Sequence, residues 1–338
     1  MARTAVAEPH HYNDIVPPHH ASVSFAYDEF GAKPPYAYGR VSNPNAAMVG
    51  DALAKLEGGA GGVATSSGMA ALDLAFHLAG PDDLVIAPHD SYGGTQRLLK
   101  ERAKRGFFNV DFVNQADEAA MEEALRKRPK IVLIETPSNP LLKVYDLNKL
   151  VTAAKKAGAL TVVDNTFLSP VLQTPLEFGA DMVMHSTTKY INGHSDVIGG
   201  ALICADKDLH EKMVYWANCV GITASSGDSW MILRGLRTLQ VRILKQQETA
   251  RKIAAFMEDA AQIKTVYYPG LKSHADYYTA KEQQKGYGAM LSFELDCDLD
   301  GMKRFLSALK FFPLAQSLGG YDSMINHPMT MTHASMGV

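Results

Sequence analysis

Cysteine is scarce: Cys204, Cys219 and Cys297 lie far apart, and no C-x-x-C pair occurs among the 338 residues. That spacing excludes a disulfide framework and suits a reducing cytoplasm. Apolar runs are short, none approaching the ~20 residues of a membrane span, and the N-terminus has no hydrophobic signal region. Neither membrane insertion nor secretion is therefore expected. Charge of one sign is also missing. Lys and Arg total 33 against 36 Asp and Glu, a net charge of −3, with no long basic run. This argues against nucleic acid as the main partner. No G-x-x-x-x-G-K-[ST] loop is present, and the glycines of "EGGAGG" precede a strand pattern rather than a helix, the wrong context for a dinucleotide fingerprint. There is no internal repeat and no low-complexity segment.

What is present falls into three parts. Residues 1–50, rich in Pro, His, Tyr and Asn, lack lasting periodicity and read as a polar arm lying on something larger. Their pairs His10-His11 and His19-His20 have no spacing that organises a metal-ligand set, so surface histidines are expected. Residues 51–237 alternate short apolar runs ("GGVAT", "LVIAPH", "FNVDFVN", "KIVLIE", "LTVVD", "DMVMHS") with amphipathic helical segments. That pattern predicts an α/β unit with a mostly parallel sheet covered on both faces. Residues 238–338 read as a smaller C-terminal α+β domain. The stretch "SWMILRGLRTLQVRILKQQETARKIAAFMEDA" predicts one long helix or two joined ones.

Ligands of parallel sheets gather beyond the carboxyl ends of the strands. There, Asp164 closes the apolar run "LTVVD". A carboxylate in such a place is costly unless a cation or several donors meet it. Lys189 follows one strand–helix–strand unit later, in "HSTTKYINGHSD". Asp164 could cap the next segment, or pair directly with Lys189. A third reading places a ring between them, its protonated nitrogen on Asp164 and its aldehyde carbon bonded to Lys189, as pyridoxal phosphate requires. Its phosphate would need a cradle. "TSSGMAAL" puts Ser66, Ser67 and Gly68 between strand and helix, where free N–H groups favour an anion, though an ordinary capped turn reads the same way. Ser186 and Thr188 alternate before Lys189, so both hydroxyls could face that phosphate. Tyr92, in the loop "HDSYGGT", offers a stacking surface or simple packing.

Taken together, "YGRVSNP", "SSGMAAL", "APHDSYGGTQRL", "ETPSNPLLKV", "VVDNTF", "HSTTKYINGHSDVIGG" and "LRGLRTL" resemble the Cys/Met-metabolism family of pyridoxal-phosphate enzymes, from about residue 15 to the end. The resemblance implies a type I aminotransferase-like fold, with Lys189 as the Schiff-base lysine and Asp164 as the pyridinium partner. Gly68 and Met69 would give backbone N–H groups to the phosphate, and Ser186 and Thr188 hydroxyls. Tyr92 would stack on the ring, and Asn139 would approach its phenolic oxygen. Asn139 and Ser317 would border the substrate. Tyr38 and Arg40 would reach the phosphate of a neighbouring subunit in a homotetramer with shared sites.

The resemblance further implies small amino-acid substrates. The expected reaction is γ-replacement on an O-acylhomoserine, O-succinylhomoserine for preference, by cysteine. Lyase cleavage of cystathionine at Cγ or Cβ, sulfhydrylation of the ester, and a non-catalytic cofactor-binding oligomer are the alternatives. Leu318, where the family's β-lyases tend to carry tryptophan, speaks against that branch. Two departures from the family pattern stand out. Gln316 occupies a position where synthases and γ-lyases commonly carry glutamate. The chain also reaches Val338 before the family's stretch with a substrate-binding arginine, so the C-terminal part is expected to be incompletely represented. Arg234 and Arg237 are expected to serve domain packing.

Overall fold

A computed structural model describes residues 14–332; His10-His11 and the end of "MTHASM" lie outside them. Seven strands form the main sheet: β1 (Gly61–Thr65), β2 (Leu84–Pro88), β3 (Asn109–Val113), β4 (Ile131–Glu135), β5 (Leu160–Asp164), β6 (Met182–His185) and β7 (Gly200–Cys204). Their order is β1-β7-β6-β5-β4-β2-β3. Strands β3, β2, β4, β5 and β6 run parallel, and β7 lies antiparallel between β6 and β1. The class follows from burial. Ile131 and Leu133 of β4 enter one core with Val85, Val162 and Leu202, while Val132 and Ile134 enter another with Val163 on the opposite face. A strand buried on both faces leaves no polar positions to alternate, hence the continuous apolar runs.

Helices cover both faces. The helix Gly68–Phe76 packs Ala71, Leu72 and Ala75 into the first core, joined by Leu209, Met213 and Ala217 of the helix Lys207–Val220. Leu147, Leu150, Val151 and Ala154 of the helix Leu147–Lys156 fill the second. A third core joins the helices Pro44–Glu57 and Ser226–Leu236 to the start of Leu239–Glu258. The apolar stretch after residue 225 is thus two helices rather than one, broken around Arg237 and Thr238. The aperiodic arm is also shorter than its sequence suggests. A helix begins at Pro44, with Asn43 as N-cap accepting the Asn45 N–H, and this proline sits at the first helical position, where its missing N–H costs nothing.

Beyond residue 258, β8 (Ile263–Tyr267) and β9 (Ser292–Leu295) pair antiparallel, with the helices Tyr277–Gln283 and Leu299–Ala308 beside them in sequence. The arm is fastened to the first layer. Trp230 Nε1 donates to the Pro17 carbonyl at 2.8 Å, and Asn45 Nδ2 to that of Pro18 at 2.9 Å. His19 lies against Trp230 and within hydrogen-bond distance of Ser226 Oγ, at 3.2 Å. No helix among the described residues is long and apolar enough to cross a membrane.

Candidate active site

The parallel register sets carboxylates side by side at one sheet edge. Glu135 of β4 is the Cα partner of Asp164 of β5, and Asp164 that of Met184 of β6. Asp164 Oδ1 accepts the Thr166 N–H at 3.0 Å, so the capping reading holds in part. Among the described residues no cation pairs with Asp164, and its direct ion pair with Lys189 does not form. Burial pushes its carboxyl above the usual carboxylate range, against the pull of the Thr166 donors. His185 also favours the carboxylate's charged form, and a protonated ring nitrogen opposite this group would supply a direct cationic partner.

Lys189 lies in the turn after β6. Its Nζ donates to Ser317 Oγ at 2.9 Å, and burial lowers its proton affinity below that of an ordinary lysine. Ser317 holds a left-handed backbone, φ 101°, an uncommon strain for a residue with a side chain. His185 and Thr187 are buried, whereas Ser186, Thr188 and Lys189 are half-buried, the alternation the sequence suggests. Thr188, however, has its hydroxyl engaged with Gly199, donating to the carbonyl at 3.1 Å and accepting the N–H at 3.0 Å. In this arrangement it braces the turn rather than facing an anion.

The cradle is formed at the start of the helix Gly68–Phe76. Ser67 caps it by accepting the Ala70 N–H at 3.1 Å, which leaves the N–H groups of Gly68 and Met69 in the open first turn. A Cβ on Gly68 would stand 2.7 Å from Ser186 Cβ and 3.1 Å from its hydroxyl, so only glycine lets the helix start this close to Ser186. The Tyr92 ring edge is nearby: a Cβ on Gly94 would meet Tyr92 Cε1 at 2.4 Å and Met69 Sδ at 3.1 Å. Tyr92 keeps 40% of its surface open.

Anion donors, an exposed ring, an amine of lowered proton affinity and a buried carboxylate with no ion pair among the described residues therefore fit pyridoxal phosphate. Gly68, Met69 and Ser186 would hold its phosphate, Asp164 its ring nitrogen and Lys189 its aldehyde carbon. The structure does not bring Tyr38 and Arg40 into this group. Arg40 Nη1 donates to the Asn218 carbonyl at 2.9 Å and to its side-chain oxygen at 2.8 Å, and the guanidinium lies 5.8 Å from the Tyr38 ring centre. Both residues are exposed.

Three supports escaped the sequence reading. Glu135 accepts backbone N–H groups from the Tyr92 and Asn139 loops. Arg242 latches the turn after Lys189, donating to the carbonyls of Tyr190 (2.8 Å), Ile191 (3.3 Å) and Gly235 (2.8 Å). Behind Asp164, His185 Nε2 and Glu57 Oε1 lie 2.6 Å apart, both fully buried, and Asn165 Nδ2 donates to the same oxygen at 2.9 Å. A carboxylate closing an apolar run, the signal that singles out Asp164, was available for Glu135 as well.

The pattern of the family described as Cys/Met metabolism PLP-dependent enzyme matches residues 2–338. Cystathionine gamma-synthase of Escherichia coli (strain K12) is 48% identical over 99% of this chain and 87% of its own length. Cystathionine beta-lyase of Coxiella burnetii (strain RSA 493 / Nine Mile phase I) is 42% identical over 95% of the chain and 84% of its own. Among solved structures, cystathionine gamma synthase from Xanthomonas oryzae pv. oryzae, in complex with aminoacrylate and cysteine, superposes with a TM-score of 0.97. It is 49% identical, over 100% of this chain and 89% of that one. The chain thus belongs to the Cys/Met-metabolism family and is a pyridoxal-phosphate-dependent enzyme of cystathionine metabolism.

Proposed function

We propose that the chain catalyses γ-replacement, joining cysteine to the Cγ of an O-acylhomoserine to make cystathionine. The observation that carries a reaction beginning with proton removal is Lys189 itself: a half-buried amine of lowered proton affinity, held by Ser317 beside the cradle. The choice of a synthase over a lyase is supported by the two synthase relatives, which cover nearly all of the chain at higher identity than the β-lyase.

Bound in the cradle, pyridoxal phosphate supplies an electron sink for charge that develops on the substrate carbons. Lys189 Nζ takes the Cα proton and later returns it, and Ser317 Oγ holds the amine in line when it is free. Asp164 would hold a proton on the ring nitrogen of the bound group. Tyr92 would cover the ring of the bound group and take a proton from the incoming substrate amine, while Asn139 would border that ring and the substrate. Over the whole reaction the Cγ–O bond breaks, the acyl group leaves as its carboxylate, and a Cγ–S bond forms to the cysteine sulfur. The thiol proton ends in solution.

Steady-state assays on O-succinylhomoserine plus cysteine, on the ester plus sulfide, and on cystathionine alone test this reading. Cystathionine formation as the fastest reaction is expected. Faster cleavage of cystathionine would make the enzyme a lyase, and a preference for sulfide would make it a sulfhydrylase. Retained cofactor with no product from any substrate would leave only a binding protein.

A further inference from the structure

The loops carrying Tyr92 and Asn139 leave neighbouring strands, β2 and β4, and no regular structure fixes either before Gly93 or after Glu135. A single carboxylate joins them. Glu135, 6% exposed, ends β4, a strand buried along its whole length. Its Oε2 accepts the Tyr92 N–H at 3.0 Å, and its Oε1 accepts the Asn139 N–H at 3.1 Å. Each oxygen takes one amide, so one planar group sets the spacing of both loops. A second tie lies further out. Asp90 accepts the Tyr145 hydroxyl at 3.0 Å and the Lys143 ammonium at 2.9 Å, joining the stretch before Tyr92 to that after Asn139.

We propose that Glu135 is a positioning residue that sets Tyr92 and Asn139 in their cofactor-facing places before pyridoxal phosphate enters. This rests on the reading of those two residues as cofactor contacts. A buried carboxyl is an expensive way to fill space, since an apolar side chain of similar volume costs less. Burial, and Asp164 beside it, push the Glu135 carboxyl well above the ordinary range. What this carboxyl group does, and an apolar group cannot, is take one amide on each of its two oxygens.

The test compares wild type with Glu135→Gln and Glu135→Ala. Hydrogen exchange in the apoprotein reads the Tyr92 and Asn139 amides directly. Titration with pyridoxal phosphate, the visible circular dichroism of the bound cofactor, and separate kcat and KM values read the consequence. Glu135→Ala is expected to speed exchange at both amides and weaken cofactor binding by about tenfold or more, the equivalent of one lost hydrogen bond to a charged group. The visible band should diminish, with kcat falling more than KM rises. Glu135→Gln keeps one acceptor oxygen, so one amide should stay protected and the losses should be intermediate. Should Glu135→Ala fail to fold, the nearly isosteric Gln variant decides. Unchanged exchange at both amides overturns the proposal, as does faster exchange with cofactor affinity and spectrum unaltered. An unchanged cofactor spectrum in Tyr92→Ala would instead sink the reading of Tyr92 itself, whatever exchange shows about the tie.

Discussion

Burial lowers the proton affinity of Lys189 and raises that of Asp164, so in the apoprotein each carries its charge at a cost. For Asp164 the folded pKa lies above the unfolded value of ~3.9, so folding favours the protonated form. That contribution is complete below the unfolded pKa and is lost as pH rises through the folded one. At pH 7 the ionised carboxylate is therefore a net penalty, and Asp164→Asn, which keeps an oxygen for the Thr166 N–H, should raise the apoprotein Tm by about 1–3 °C. The gain should vanish below pH ~4, while the same variant binds the cofactor more weakly. Calorimetry across pH, with and without pyridoxal phosphate, checks both halves. Lys189→Ala should still bind the cofactor through the cradle but lose turnover by ~10³-fold or more, because the base and covalent anchor we propose would disappear together. Borohydride reduction of the wild type followed by peptide mapping should place the label on Lys189. The two residues were legible because polar groups at the ends of apolar runs are conspicuous. Glu135 satisfies the same criterion but sits in "ETPSNP", where the polar neighbours make it look like the start of a loop.

Among the elements, strands were the easiest to read, since burial on both faces writes them as apolar blocks. The helix Lys207–Val220 was missed because its buried positions, Leu209, Met213 and Ala217, fall one per turn and the exposed apolar residues Val214, Tyr215 and Val220 blur that period. The helix beginning at Pro44 was hidden behind "SNPN", whose residues serve turns as readily as caps. What no local pattern discloses is the connection between elements. The long helix Leu239–Glu258 sends Arg242 across to the turn that follows Lys189, 51 and 52 residues away in sequence. Its guanidinium answers three carbonyls at once, and Arg242→Met would leave them without that donor. Urea unfolding should show a loss of about 2–3 kcal/mol, the scale of a charged hydrogen-bond donor removed from a packed site. Turnover should fall as well, because the latched turn carries the amine of Lys189, which we propose as the base.

At the scale of the molecule, we propose that the arm serves a second chain. Tyr38 and Arg40 stand exposed, and Arg40 is bonded to Asn218 of the helix Lys207–Val220 rather than to the Lys189 cluster of its own chain. Our reading is that they complete a neighbour's phosphate site in a homotetramer. Arg40→Ala should then weaken cofactor retention by about tenfold, the loss of one charge-assisted contact. Mixing Arg40→Ala with inactive Lys189→Ala at limiting pyridoxal phosphate should raise activity above that of either variant alone, because one site in each hybrid pair keeps both residues. Subunit exchange without recovery, followed by mass spectrometry of the mixed assemblies, would sink the shared-site idea. The clasp of the arm has an optical consequence. The chain has only two tryptophans, and the indole N–H of one, Trp230, rests on the Pro17 carbonyl, while the other, Trp216, lies 5.2 Å from the His77 ring centre. With Trp216→Phe, the emission colour of the remaining indole becomes a lamp wired to the arm: blue while the arm is seated, shifting red as it lifts and water reaches the ring.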